Sequence, residues 1–350
     1  MKQSEIILKE LQNAGPVEWQ PGMKLQNANG SIDVSTLGYQ YAIQTTTLIR
    51  ARTVDQKFYE VPIADKIPME VGEGAWLEDI KTNLVYQAGQ DFETGVMGNA
   101  SSNAKVPKID VGTAPKTQVI KTWAKGYDYS VADVNKALAS NNWDLVSARM
   151  RAVKKNWDLG IQKTSFLGLK SDLTNVPGLL TQTGLSTADT TTITKNISSM
   201  SYSEFQTLVS ILLEVYFANS NYTVLPDAFE MPMDDYLGLG AFVSPQFPNR
   251  SMLSYLNELF KEMTGNPNFL IYGLAYGMAA NNAGYVSAGG KNRYVLYRRD
   301  PETLRVDIPV DFILPAPNTA DNFMWNGVGY GQFTGCVVFR EPEVMYFDHN

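Results

Sequence analysis

Apolar residues recur at helical spacing most clearly between positions 143 and 166. Trp143, Val146, Met150, Val153, Trp157 and Ile161 fall three or four positions apart, the spacing that places side chains on one face of an α-helix. The pattern predicts a helix over about 143–166, roughly 36 Å long at about 1.5 Å per residue, a structural spine. A shorter helix precedes it. It starts at Ser130, whose acid three residues on, Asp133, suits a helix cap, and it runs to about Ala139. Ser201 and Glu204 form the same kind of box before Phe205, Leu208, Val209, Ile211, Leu212, Leu213, Val215 and Tyr216. Apolar residues on nearly every face predict a buried helix. Pro232 opens a short helix, and another over 252–263 is bounded by Ser251 as cap and Gly265 past its end.

Between these helices the pattern turns to short extended runs. Residues 48–64 read as strand-like around Phe58–Ile63. After the turn at Asn175–Gly178, Leu179 and Leu180 read as a short apolar strand, and Tyr222–Pro226 as a buried one. Phe269–Tyr272 and Asp311–Leu314 are further strands. Tyr294–Tyr297 and Leu304–Ile308 flank the turn Arg299–Glu302 as a hairpin candidate, and Cys336–Phe339 and Val344–Phe347 flank Arg340–Glu343 in the same way. Strands and helices without regular βαβ order predict an α+β fold.

Two stretches lack a core pattern. Met1–Gln12 reads as a short amphipathic helix, and residues 13–47 carry Asn, Gln, Gly, Ser and Thr with two early prolines, Pro16 and Pro21, as in an extended polar arm. Residues 66–118 hold six glycines, from Gly72 to Gly112, and the small polar run Gly98–Ala104, with alternation at Val106, Ile109 and Val111. A structureless loop of that length is unusual inside a compact domain. Alternation with a turn-rich tip predicts a long β-hairpin that projects from the body and packs on something else.

Composition narrows the chemistry. Among 350 residues there is one histidine, His349, and one cysteine, Cys336. These cannot build a tetrahedral zinc site or a disulfide framework. A His-dependent nucleophile would rest on a residue next to the C-terminus, where chains are usually poorly ordered. Twenty-nine basic against 36 acidic residues give a net charge of −7, which argues against a protein that grips phosphate backbones tightly. Hydrophobic residues at 44% permit a real core. No apolar run is long enough to span a membrane, and the N-terminus lacks the apolar segment of a signal peptide, which implies an intracellular origin.

The remaining candidates have ordinary structural readings. Gly327, Gly329, Gly331 and Gly335 do not fit a dinucleotide fingerprint and predict a bulged or twisted strand. Gly289-Gly290-Lys291 reads as a loop. Asp234-Asp235 begins a short helix, where first-turn acids meet the helix dipole; a paired general acid or cation site is the sharper alternative. Trp123, Tyr127 and Tyr129 alternate as on a half-buried strand, and base stacking is their alternative. Arg149, Arg151, Lys154 and Lys155 form a basic cluster on the spine helix, either a solvated face or a nucleic-acid contact. No catalytic, metal or cofactor site emerges.

The order of these elements resembles the major capsid proteins of tailed bacteriophages, the Hong Kong 97 type fold that encapsulin nanocompartments share. The residues that carry the likeness are Trp157-Asp158 with Gly168, Val176-Pro-Gly-Leu-Leu180, Leu225–Pro232, Arg293–Leu304, Pro309–Phe312 and Val337–Pro342. The resemblance implies an N-terminal arm at 1–47 and an extended loop at 66–118. It implies a peripheral domain at 48–65, 119–219 and 311–350, and an axial domain at 220–310. It implies no enzyme, but hexamers and pentamers that close an icosahedral shell around double-stranded DNA, in a virion assembled in the host bacterial cytoplasm. Arg149, Arg151, Lys154 and Lys155 would then face inward and hold DNA non-specifically. Portal and cement proteins would be partners, with no membrane and no cofactor. The lack of a long charged helical segment before the arm predicts a separate scaffolding protein, or none. An encapsulin-like shell with protein cargo is the alternative.

Overall fold

The computed structural model describes residues 57–87, 111–141, 144–188, 192–241, 250–319 and 323–349. The expected helix at 1–12, the arm to 47, Trp143 and the Gly98–Ala104 run lie outside them. The chain divides into two units, Met1–Gln56 with Lys136–Trp143, and Lys57–Asn135 with Asp144–Asn350. The second unit holds both hydrophobic cores.

In chain order the first elements are β1 (Met69–Val71), β2 (Asp79–Gln87), β3 (Val111–Val119), β4 (Lys121–Ser130), α1 (Val131–Asn141), α2 (Leu145–Leu167) and α3 (Tyr202–Asn219). Then come β5 (Ala228–Pro232), α4 (Met233–Ala241), α5 (Met252–Thr264), β6 (Leu270–Leu274), α6 (Ala279–Asn282), β7 (Asn292–Tyr297) and β8 (Leu304–Ile308). The last are β9 (Val310–Ile313), β10 (Asn318–Thr319), β11 (Met324–Phe333), β12 (Cys336–Val338) and β13 (Val344–His349). This is the mixed α+β architecture that the irregular element order implies.

The sheet β13-β7-β5-β6 divides the two cores. Successive side chains on a strand point to opposite faces, and each strand obeys this. Ala228, Tyr272, Val295, Tyr297, Val344 and Tyr346 enter one core, and Phe229, Ile271, Tyr294, Leu296, Met345 and Phe347 enter the other. Helices α3 and α5 cover the second core through Phe205, Leu208, Leu212, Leu256 and Phe260. The first core takes the C-terminal half of α2, with Trp157, Ile161, Phe166 and Leu167, and the small sheet β1-β8-β12.

The spine forms as its periodicity predicts. Asp144 caps α2 by accepting from the Ser147 amide at 3.1 Å, and Val153, Trp157 and Ile161 are buried along one stripe. The boxes at Ser130–Asp133 and Ser201–Glu204 are both closed. Glu204 accepts from Lys195 and from the Ser201 hydroxyl and amide, which hold its carboxyl down to about 2. Helix α3 buries one face only, however: Ser203, Gln206, Ser210, Ile211 and Glu214 are exposed, where apolar residues on nearly every face predict a buried helix.

Several extended runs fold differently. Phe58–Pro62 makes no strand; Pro62 has no amide to give a ladder, and the Val61 amide is satisfied by the Gln162 side chain at 2.9 Å. Leu179–Thr181 is a 3-10 turn. Tyr222–Pro226 is irregular, with Tyr222 75% exposed and in the left-handed region, and the strand starts at Ala228. Neither hairpin candidate forms. β7 pairs with β5 and β13, whereas β8 pairs with β1 and β12. The two connectors therefore run between sheets side by side, tied by Arg298 N–H to Glu343 O, Phe339 N–H to Thr303 O, and Thr303 Oγ1 to the Glu343 carboxylate.

Candidate functional site

No metal-ligating group of three or more His, Cys, Asp or Glu side chains occurs among the described residues, and no described helix is long and apolar enough to cross a membrane. Cys336 is fully buried, and burial with Asp307 nearby pushes its thiol up, away from reactivity. His349 does not sit on a loose end: it is the last residue of β13 and pairs with Asn292 of β7. The acid pair separates. Asp234 is exposed, while Asp235 is buried and accepts from the Ile197 amide at 3.1 Å, the Ser198 hydroxyl at 2.6 Å and the Tyr294 hydroxyl. It ties α4 to the loop before α3, which is a structural role.

What the sequence carries instead is surface built for contact. β2 and β3 pair antiparallel from Asp79↔Val119 to Gln87↔Val111 and pair with no other strand among the described residues. An isolated two-stranded ribbon is marginal in water. Its root is anchored: Gln118 is buried, and Lys116 reaches Glu341 at 2.8 Å. Beyond that, Val85 is exposed, as are Trp76 and Leu77 just before β2. A cleft of about 1030 Å³ lies between Thr82–Val85 of the ribbon and the two connectors at Pro301–Glu302 and Phe339–Glu343. The start of the 66–118 stretch belongs to the body. Ile67 is fully buried in the first core, and β1 pairs parallel with β8.

The glycine run of β11 has a geometric cause. β11 pairs with β4 from Met324↔Ser130 to Phe333↔Lys121, with a register shift against β9 between Tyr330 and Gln332. Gly327, Gly329 and Gly331 share one face. A Cβ at these positions would lie 2.4 Å from Tyr127, 2.8 Å from Phe312 and Val153, and 2.6 Å from Trp157. The missing side chains let aromatic rings and α2 lie flat on the sheet. Trp123 and Tyr127 are rings of that layer, with Trp123 packed on Trp157 at 5.4 Å, and Tyr129 stacks on Trp325 at 5.6 Å.

The basic cluster is partly engaged. Arg149 donates to the Asp128 carbonyl, and Lys155 pairs with Glu60 and lies 5.8 Å from the Phe58 ring. Arg151 contacts the Ser147 carbonyl at 3.4 Å through Nε and is exposed, as is Lys154.

A family model described as major capsid protein matches residues 95–349. Solved structures share the fold at low identity. The capsid of Myoviridae phage XM1 is 15% identical, covering 88% of this chain and 98% of its own, with a TM-score of 0.71. Microbacterium phage Oxtober96 is 9% identical over 88% and 98%, with a TM-score of 0.55. The capsid of a native GTA particle is 10% identical over 88% and 97%, also at 0.55. No curated protein matches the chain.

Proposed function

Since the chain belongs to the major capsid protein family, we propose that its copies form hexamers and pentamers that close an icosahedral shell around the double-stranded DNA of a tailed phage. The chain is a shell subunit of the phage capsid kind, and it belongs to the virion. The family model over residues 95–349 is the observation that carries the reading. The finer division into arm, extended loop, peripheral domain and axial domain is part of the proposal. So are assembly in the host cytoplasm, a portal, a separate scaffolding protein, cement proteins, and the lack of an enzymatic role. The encapsulin-like alternative, with protein cargo, has no observation in its favour.

In the proposed particle the spine helix turns Arg151 and Lys154 towards DNA, with Arg149 and Lys155 held closer to the body. The contact is electrostatic and blind to sequence. The test is DNA binding by purified assemblies of the wild type and of Arg151→Glu/Lys154→Glu at a series of salt concentrations. Each lost phosphate contact lowers the salt slope by about one, so the double variant is expected to lower it by about two while still assembling. An unchanged slope removes these side chains from DNA contact.

A further inference from the structure

The least expected group in the molecule is Glu230. It sits at the centre of β5, fully buried, and neither carboxylate oxygen has a hydrogen-bond partner. Its neighbours across the sheet are Tyr272 and Val295. A Cβ on Gly277 would come within 2.5 Å of Oε1, so backbone closes one side. The guanidinium whose charge reaches it, Arg293, is committed elsewhere: it binds Asp348 at 2.7 and 2.8 Å and donates to the Leu180 carbonyl. A buried carboxylate with no partner is costly when charged, and burial pushes its proton affinity well up.

An irregular strap, residues 59–66, lies over the core that Tyr272 and Val295 enter, with Val61 and Ile63 packed against it. Few bonds hold it. Tyr59 Oη accepts from the Ala275 amide at 3.1 Å, and Gln162 binds the Val61 amide and the Tyr59 carbonyl. Tyr297 Oη donates to the Lys66 carbonyl at 2.8 Å, and Arg299 donates to the Asp65 carbonyl at 2.6 Å. Lys66 Nζ lies over the Tyr272 ring at 4.4 Å.

We propose that Glu230 is a proton-linked latch: its protonated form keeps the strap at 59–66 closed over the first core, and loss of the proton opens the strap so that water reaches the carboxylate. The other ionisable groups around Glu230 and on the strap are Tyr59, Tyr272, Tyr276, Tyr294 and Tyr297, with Glu60 and its partner Lys155, Asp65, Lys66, Asp227, Arg293 and Arg299. Burial raises the five tyrosines further, so they stay neutral in the neutral range. Burial also lowers Lys66 and raises Asp227. The sign follows from linkage. A carboxyl whose closed-state affinity is raised favours closure fully at low pH, and the gain is lost as pH rises towards the closed-state value.

Hydrogen exchange of the full chain, corrected for intrinsic rates, tests this from pH 5 to pH 9. In the wild type, opening of peptides spanning 59–66 is expected to rise about tenfold per pH unit over at least part of the range, while α5 peptides stay level. In Glu230→Gln the strap is expected to show no such slope. A level wild type, or a slope that survives in Glu230→Gln, overturns the proposal; the second outcome would assign it to Lys66 or Asp227. Should the variant fail to fold, infrared spectra of the wild type decide. A protonated, unpartnered carboxyl band that fades over the same pH range supports the latch, and its absence at pH 5 overturns it. The shell reading is judged separately by microscopy, so either can fail alone.

Discussion

Gly178→Ala is expected to destabilise the chain by about 3 kcal/mol or more, which is large against a typical total of about 5–15 kcal/mol. Backbone conformation is not the reason, since Gly178 is extended at φ −101°. The added methyl would lie 2.4 Å from the Phe166 carbonyl carbon and oxygen and from the Gly168 amide. These are backbone atoms of the last turn of the spine, and they cannot swing aside as a side chain can. Two more glycines complete the knot. Gly168 ends α2 at φ +78°, and its Cβ would meet Val176 O at 2.6 Å; a Cβ on Gly335 would meet Pro177 O at 2.3 Å. Gly160→Ala is the control. It lies inside α2 with nothing within 4 Å of the new methyl, and alanine there is expected to stabilise by about 0.5–1 kcal/mol. Thermal melts of both variants beside the wild type check the pair. A Gly178→Ala melt equal to the wild type would mean the three segments do not pass this close.

Arg293→Met is expected to cost about 3–5 kcal/mol, the range for removing one partner of a buried ion pair. Arg293 joins three segments: its own strand β7, the Asp348 carboxylate on β13, and the Leu180 carbonyl after the spine. It also lies 4.2 Å from the Tyr346 ring centroid. Without it Asp348, 5% exposed, keeps one cation among the described residues, Lys291 at 4.0 Å. Removing both charges in Arg293→Met/Asp348→Leu is expected to recover much of the loss, because the uncompensated carboxylate goes with its partner. Urea unfolding of the two singles and the double forms the cycle. A double variant no more stable than Arg293→Met would show that the carboxylate is not what makes the loss large.

The helices were legible because periodicity and caps are local. Ser130, Ser201 and Ser251 each bond within the first turn they start, so no distant partner is needed to see them. Strand partners were not legible. The runs on either side of Arg299–Glu302 look like a hairpin in sequence, yet their side chains belong to different sheets. Nothing local tells a tight turn from a connector that crosses between layers. Leu179–Leu180 resembles a strand in sequence for a related reason, although it forms a 3-10 turn. Its apolar residues fill a corner held by Thr181 and Gln182 side chains, which bond Gly178 and Cys336. The alternating glycines of β11 were a visible signal. Their purpose appears only once Trp157, Phe312 and Tyr127 are placed opposite them. Glu230 gave no signal, since a single acid in Phe-Glu-Met reads as an exposed strand position.

The count of one histidine and one cysteine pointed away from catalysis, and the ribbon, cleft and exposed apolar side chains point towards contact between copies. Electron microscopy of the purified protein is the direct test of that contact. The expected images show closed shells, or hexamers and pentamers that close on concentration, with the β2–β3 ribbon lying against a neighbouring copy. A preparation that stays a folded monomer at every concentration, with no rings or shells, would contradict it.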